Sequence, residues 1–242
     1  GVLAAGERLH WTASASVRGV SLDQLTRELD WPPFSGALSG ELRDMRYADD
    51  LFAVGGGLNI TAFDGRIEVS NLRIQDPLSA VPVLRASATM RGLNLEALTR
   101  TFDFGRIEGR LDGDVEDLRL VAWRPDQFDL HLYTPPDDRS RHRISQRAVE
   151  NLTELGSGLP AGLSASFLRV FEEFSYDVID VKIVLRGASA SIDGLARDDG
   201  GYYLVRGSGL PRIDVIGRNR SVAWNDLLER LRQIRVEGVQ VQ

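Results

Sequence analysis

No cysteine occurs anywhere in the chain. That absence excludes disulfide staples, thiolate metal sites and cysteine nucleophiles, and it is compatible with an oxidising compartment. Long apolar runs are also missing: none approaches the roughly 18–20 residues that span a bilayer. The chain starts at Gly1 with neither an initiator Met nor a signal-peptide pattern, so it reads as a piece of a longer protein or a processed one. Lysine is almost absent, Lys182 being the sole one among 29 basic residues. With 35 acidic residues the formal net charge is -6, which makes nucleic acid a poor partner.

Residues for catalysis are equally sparse. The three histidines are His10, His131 and His142, and no His-x-x-x-His or His-Glu pair offers metal-ligand spacing. His10 and His131 fall in predicted strands, and His142 falls among arginines in a polar loop. Paired acids at Asp49-Asp50, Asp137-Asp138 and Asp198-Asp199 read as turn residues rather than carboxylate dyads. No nucleophile elbow, P-loop or dinucleotide fingerprint is present. Gly55-Gly56-Gly57 leads into a strand, and Gly207-Ser208-Gly209 likewise cannot set a phosphate on a helix N-terminus. The cluster Arg139, Arg141, Arg143 and Arg147 fits a solvated loop, or else a contact with anionic headgroups or an acidic partner. No enzyme, cofactor or metal is expected.

What the chain does contain is a repeat. Residues 15–46 recur without a gap 73 positions later at 88–119, with 13 of 32 positions identical, among them Arg18/Arg91, Gly19/Gly92, Leu22/Leu95, Gly40/Gly113 and Asp44/Asp117. Self-similarity at a fixed period points to stacked units that bury their apolar faces against each other. Each copy opens with an alternating strand (Trp11, Ala13, Ala15 and Val17 on one parity). A short helix follows, capped by Ser21 with Gln24 or by Asn94. Its apolar face carries Leu22, Leu25 and Leu29, mirrored by Leu95, Leu98 and Phe102.

A second strand then starts at Phe34 or Ile107 and is punctuated by Gly36/Gly40 and Gly109/Gly113. Beyond Asp44/Asp117 the apolar parity flips, to Met45 and Tyr47 or to Leu118, Leu120 and Ala122, which predicts a β-bulge at the same place in both copies. Further strands over Leu58–Ala62 and Arg66–Ile74 are joined by a turn assigned to Asp64-Gly65. The pattern is that of an antiparallel meander, mainly β with short helices (α+β). Its parts are a first β-helix-β repeat (1–82), a second (83–143), a two-helix insertion (144–176) and a C-terminal part (177–242).

In the insertion, Ile144, Ala148, Leu152 and Leu155 mark one helix. Phe167, Leu168, Phe171 and Phe174 mark a second, as core over a sheet or as a lipid contact. The C-terminal part adds strands, an amphipathic helix (Trp224, Leu227, Leu228, Leu231, Ile234) and a last strand over Arg235–Val241. Val236, Val239 and Val241 would there offer an edge to a partner strand.

The repeated "RGxxLxxL" helix and "GxLxG" strand resemble the AsmA/TamB-like proteins of Gram-negative envelopes. Arg18-Gly19 with Leu22 and Leu25, then Gly36, Leu38 and Gly40, carry the first set. Arg91-Gly92 with Leu95 and Leu98, then Gly109, Leu111 and Gly113, carry the second. Gly201–Arg218, continuing to Val222-Ala223-Trp224, and Ile144–Leu152 resemble the closing region of large members, including the YdbH type.

The resemblance implies a repeated antiparallel sheet curled into a groove, a taco-like solenoid with short helices packed on it. It also implies a periplasmic segment of a protein anchored in the inner membrane by a part not present here, carrying phospholipid or other acyl-chain lipid toward the outer membrane. Groove positions are then one parity of the strands: Leu58, Ile60, Ile67, Val69, Phe128, Leu130, Leu132, Val181, Ile183 and Leu185. That parity fits an open groove and a core filled by helices equally well. The alternative function is a non-catalytic assembly or scaffold module that binds an outer-membrane lipoprotein or other envelope protein by β-strand addition. A hydrolytic β-protein is a third reading, without a site.

Overall fold

The computed structural model describes residues 11–28, 36–157 and 171–237. Strand β1 (Trp11–Ser21), helix α1 (Leu22–Glu28), β2 (Gly36–Ala48), β3 (Leu51–Ala62) and β4 (Gly65–Gln75) come first. The unit then restarts with β5 (Val83–Asn94), α2 (Leu95–Thr101), β6 (Ile107–Glu108), β7 (Arg110–Val121) and β8 (Arg124–Tyr133). The two helices begin at equivalent residues of the 73-residue period, Leu22 and Leu95. Both copies lie in one antiparallel sheet rather than in separate bodies, in the order β1-β2-β3-β4-β5-β7-β8, continued by later strands. The fold is mostly strand (61%, against 15% helix), in a large open sheet that curls without closing.

Local chemistry explains the repeat's landmarks. Gly19 and Gly92 sit at φ +63° and +64°, each inside a register shift just before its helix. No neighbour crowds either α-carbon, so glycine is there for the backbone angle, which side-chain-bearing residues resist. Asn94 caps α2, its Oδ1 accepting from the amides of Glu96 and Ala97. Leu95 and Thr99 are buried, whereas Phe102, predicted on the buried face, is 41% exposed because α2 ends at Thr101. Leu29 lies outside the described residues.

The hairpin after β3 turns at Phe63-Asp64 (φ +51° and +55°), one residue before the predicted Asp64-Gly65. Two consecutive left-handed residues make it a type I′ turn, like Asp49-Asp50 and Ala122-Trp123. Ala122 is therefore a turn residue and not a strand member.

The remaining elements build a second layer. They are β9 (Arg143–Ser145), α3 (Gln146–Ser157), β10 (Glu173–Arg186), β11 (Ser189–Asp193), β12 (Leu195–Ala196), β13 (Tyr202–Ser208), β14 (Val215–Gly217), β15 (Ser221–Ala223) and α4 (Trp224–Glu237). Strand β10 belongs to both layers. Its C-terminal half pairs with β8 and β11 in the main sheet, while Glu173–Ile179 pair with β9 and β13. The predicted strand from Ile107 is split for the same reason: β6 joins β9, and β7 joins the main sheet. Gly109 marks the crossing (φ +138°), where an added Cβ would meet the Tyr176 hydroxyl at 2.2 Å.

The core fills the space between the layers. Tyr202, Phe174, Ile144, Leu185, Val205 and Val215 are its largest fully buried side chains, each contributing about 1.5–3 kcal/mol by removal from water.

Two expectations change here. Helix α3 forms as predicted, but Phe174 is not helical. It sits in β10, 1% exposed, because Phe174 and Tyr176 alternate with Glu173, Ser175 and Asp177 at strand period. Phe171 precedes that strand and contacts Phe174 (6.3 Å between ring centroids), while Phe167 and Leu168 lie outside the described residues. The last strand does not begin at Arg235. Helix α4 runs on through Val236 to Glu237, no Gly or Pro interrupting it before Gly238. Val239 and Val241 lie outside the described residues.

Candidate apolar groove

Register alone puts all ten predicted groove residues on one face of the main sheet, because directly opposed residues of an antiparallel pair point the same way. One row of opposed residues runs Val20, Leu38, Ile60, Ile67, Met90, Gly113, Leu132 and Val181. The next runs Val17, Gly40, Leu58, Val69, Ala88, Val115, Leu130, Ile183 and Ile192. No charged or hydroxyl side chain interrupts either row. The row between them faces the opposite way and is polar almost throughout: Ser39, Asn59, Glu68, Thr89, Asp114, His131, Lys182 and Asp193. Gly40 and Gly113 fall in the apolar rows because the Leu58 and Leu132 methyls lie over them, 2.9 and 2.6 Å from where a Cβ would be.

The predicted bulges extend this face. Asp44 and Asp117 adopt φ +48° and +50°, and the pairing shifts by one residue at each. One extra residue restores the inward direction of Met45, Tyr47, Leu118 and Leu120. A third bulge, at Asn71 (φ +55°), does the same for Leu72 and Ile74. A further apolar row therefore continues beyond the bulges: Trp11, Tyr47, Phe52, Ile74, Leu84 and Leu120. Trp11 stacks on Tyr47 at 6.4 Å.

The face is not uniformly open. Phe128 and Leu185 are 9% and 0% exposed, and Phe128 packs edge-on against Trp224 of α4 (5.6 Å). These two predicted groove positions are core, filled where α4 and the second layer cover the sheet. Leu130, Leu132, Val181, Ile183 and Ile67 are half-buried against that core. Leu58, Ile60 and Val69 are half-buried as well but lie outside the core cluster. The groove thus opens toward β1 and closes toward β11. Sequence reasoning missed Met90, Ala88, Val115 and Leu38 as lining. Their parity was visible, but their alignment with the chosen positions exists only through strand pairing.

Most of the polar groups are engaged structurally, although His131 Nε2 and Asp180 Oδ1 are buried without a hydrogen bond. His131 Nε2 lies 3.3 Å from Asp180 Oδ1, and the His131 ring lies 4.7 Å from Tyr133. His142 stacks on Tyr176 (4.8 Å) and meets Asp138 Oδ2 at 3.0 Å; His10 is outside the described residues. Asp138 is more than a turn residue. Burial would raise its pKa, but hydrogen bonds from Ser140, His142 and the Arg110 amide outweigh that and hold it at about 2. Burial likewise pushes the Tyr176 phenol well up while its hydroxyl donates to the Glu108 carbonyl.

The arginine cluster disperses: Arg147 pairs with Asp103 at 3.1 Å and Arg141 approaches Glu108 at 3.6 Å. A cavity of about 420 Å³ beside α2 is lined by Glu96, Arg100, Asp103, Arg106 and Arg147, all held in ion pairs. Among the described residues no group of His, Asp or Glu is placed to hold a metal ion, and no helix is long and apolar enough to cross a membrane. Comparison with family models, with curated proteins and with solved structures yields no match to this chain.

Proposed function

We propose that this chain is a segment of a bridge-like lipid-transfer protein of the periplasm, its apolar face carrying phospholipid acyl chains between the inner and outer membranes. The observation that carries the reading is the uninterrupted apolar rows on β1 to β8, half-exposed and backed by a polar face. Seven strands at about 4.8 Å spacing give a row of about 29 Å, against about 15 Å for the hydrocarbon of one leaflet. A whole acyl chain fits along it. Each methylene leaving water gains about 0.8 kcal/mol, with no single residue needed to hold it. Movement along such a surface exchanges like contacts for like, so a chain slides without bond chemistry. The resemblance to AsmA/TamB-like proteins supports the compartment and the substrate class.

Photo-crosslinking tests this directly. A benzophenone side chain at Ile60 or Val69 is expected to capture phospholipid from envelope membranes, whereas one at Asn59 or Glu68, on the opposite face, captures none. Equal labelling from both faces, or none from either, removes the groove reading. The scaffold alternative has one favouring observation. Strand β1 pairs only with β2 among the described residues and is exposed along nearly its whole length, so its outer edge is open to strand addition. A protein rather than a lipid adduct from Thr12 or Ala13 would favour it.

A further inference from the structure

The face opposite the groove carries an arginine row. Arg46, Ala53, Arg73, Arg85, Arg119, Gln127 and Arg186 are successive partners across β2, β3, β4, β5, β7, β8 and β10. Like charges placed directly opposite on neighbouring strands repel, and five arginines in one row stand out in a chain of net charge -6. At one end the repulsion is answered within the protein. Arg119 pairs with Asp126 at 3.1 Å, and Arg186 pairs with Asp129. Arg46, Arg73 and Arg85 are exposed and have no ion-pair partner among the described residues.

Between Arg73 and Arg85 the surface is hollowed. The Asn71 bulge on β4 and the Asp117 bulge on β7 flank β5 from both sides. A cavity of about 250 Å³ opens there, lined by Asn71, Arg73, Arg85 and Ser87, with Asp117 at the same rim. Two guanidinium groups, an amide and a hydroxyl around one hollow supply donors suited to a tetrahedral oxyanion.

We propose that this hollow binds a phosphate group, as the headgroup of an anionic phospholipid or as free phosphate. The site lies on the face away from the groove, so it is independent of the acyl-chain reading and can fail or stand without it. A headgroup bound there would hold the polar face against an anionic membrane surface, leaving the apolar face turned away.

The test uses the full chain. Inorganic phosphate is titrated calorimetrically at fixed ionic strength, and flotation is measured with phosphatidylcholine vesicles with and without phosphatidylglycerol. R73Q/R85Q is expected to weaken binding by about tenfold or more, since two charge-assisted contacts are lost. R124Q, an exposed arginine on the β7–β8 hairpin, is expected to change little, and D117N to tighten binding by removing the one carboxylate at the rim. Flotation that depends on phosphatidylglycerol assigns the site to a headgroup. Saturable phosphate binding without flotation assigns it to the free anion. An equal loss from R124Q and R73Q/R85Q would mean diffuse charge and overturns the proposal, as does an unchanged R73Q/R85Q. Should that variant fold poorly, the wild-type chain decides: no rise in Tm with phosphate beyond that with chloride at matched ionic strength, and no phosphatidylglycerol-dependent flotation, also overturns it.

Discussion

A handful of single residues fix how the two layers meet. Asp138 clasps the loop after β8 to the start of β7, and its depressed pKa links that clasp to pH. A carboxylate held at about 2 in the fold against about 3.9 unfolded stabilises above pH 4, and that stabilisation is lost as pH falls through 2. It amounts to about 2 kcal/mol for this almost fully buried group. Urea unfolding of D138N is therefore expected to show a shallower loss of stability between pH 4 and 2 than the parent, with lower stability at pH 7. Gly109 is the second such point. G109A drives a methyl into the Tyr176 hydroxyl and is expected to cost about 3 kcal/mol. In a Y176F background only the clash part of the cost should be relieved, because the next atom of Tyr176 is 3.5 Å away while the strain of a side chain at φ +138° remains; a double-mutant cycle by denaturant unfolding measures that coupling. Neither role was legible in the sequence. Asp138 read as one of three similar acid pairs, and Gly109 only as one of several strand glycines marking a close approach or bend, since their partners lie from 2 to 67 residues away.

At the level of elements, most of the main sheet could be read from periodicity, because a half-buried strand writes its orientation into alternate residues. The repeat made the bulges at Asp44 and Asp117 readable too, through a parity flip occurring twice. Asn71, alone in its strand with no second copy to compare, escaped. Bulge chemistry makes a sharp prediction. D117G should be neutral or slightly stabilising, whereas D117V, a β-branched residue forced to positive φ, should lose about 1–2 kcal/mol in thermal or urea unfolding. Deleting Asp117 removes the one surplus residue of β7, so Leu118 and Leu120 should stay on the apolar face in plain alternation and the shortened strand should still fold. The second layer was harder to read. Strands β6, β9, β12, β14 and β15 are two or three residues long, too short to carry a period, and the Phe171–Phe174 spacing imitates a helical stripe. Tertiary pairing with β9 and β13 decided in favour of strand.

Across the whole molecule the apolar face grades from open to filled, and substitution energetics should follow. Leu185→Ala, at a fully buried site, is expected to cost about 2–5 kcal/mol, while Ile60→Ala, on the open flank, should cost about 1 kcal/mol or less. Denaturant unfolding of the two variants side by side checks the gradient, and similar costs would mean that the flank is packed as tightly as the core. The sequence supplied the ten positions but not this division, because exposure depends on which elements fold back over the sheet. Strand β10 determines where that folding back occurs. Being stitched at one end to the small layer and at the other to the broad one, it cannot be peeled from either without unravelling both. Amide exchange should accordingly be slowest along Phe174–Leu185 and quicken strand by strand toward Trp11. The molecule would then behave like a book bound along one spine, its leaves free to flex around whatever is laid between them.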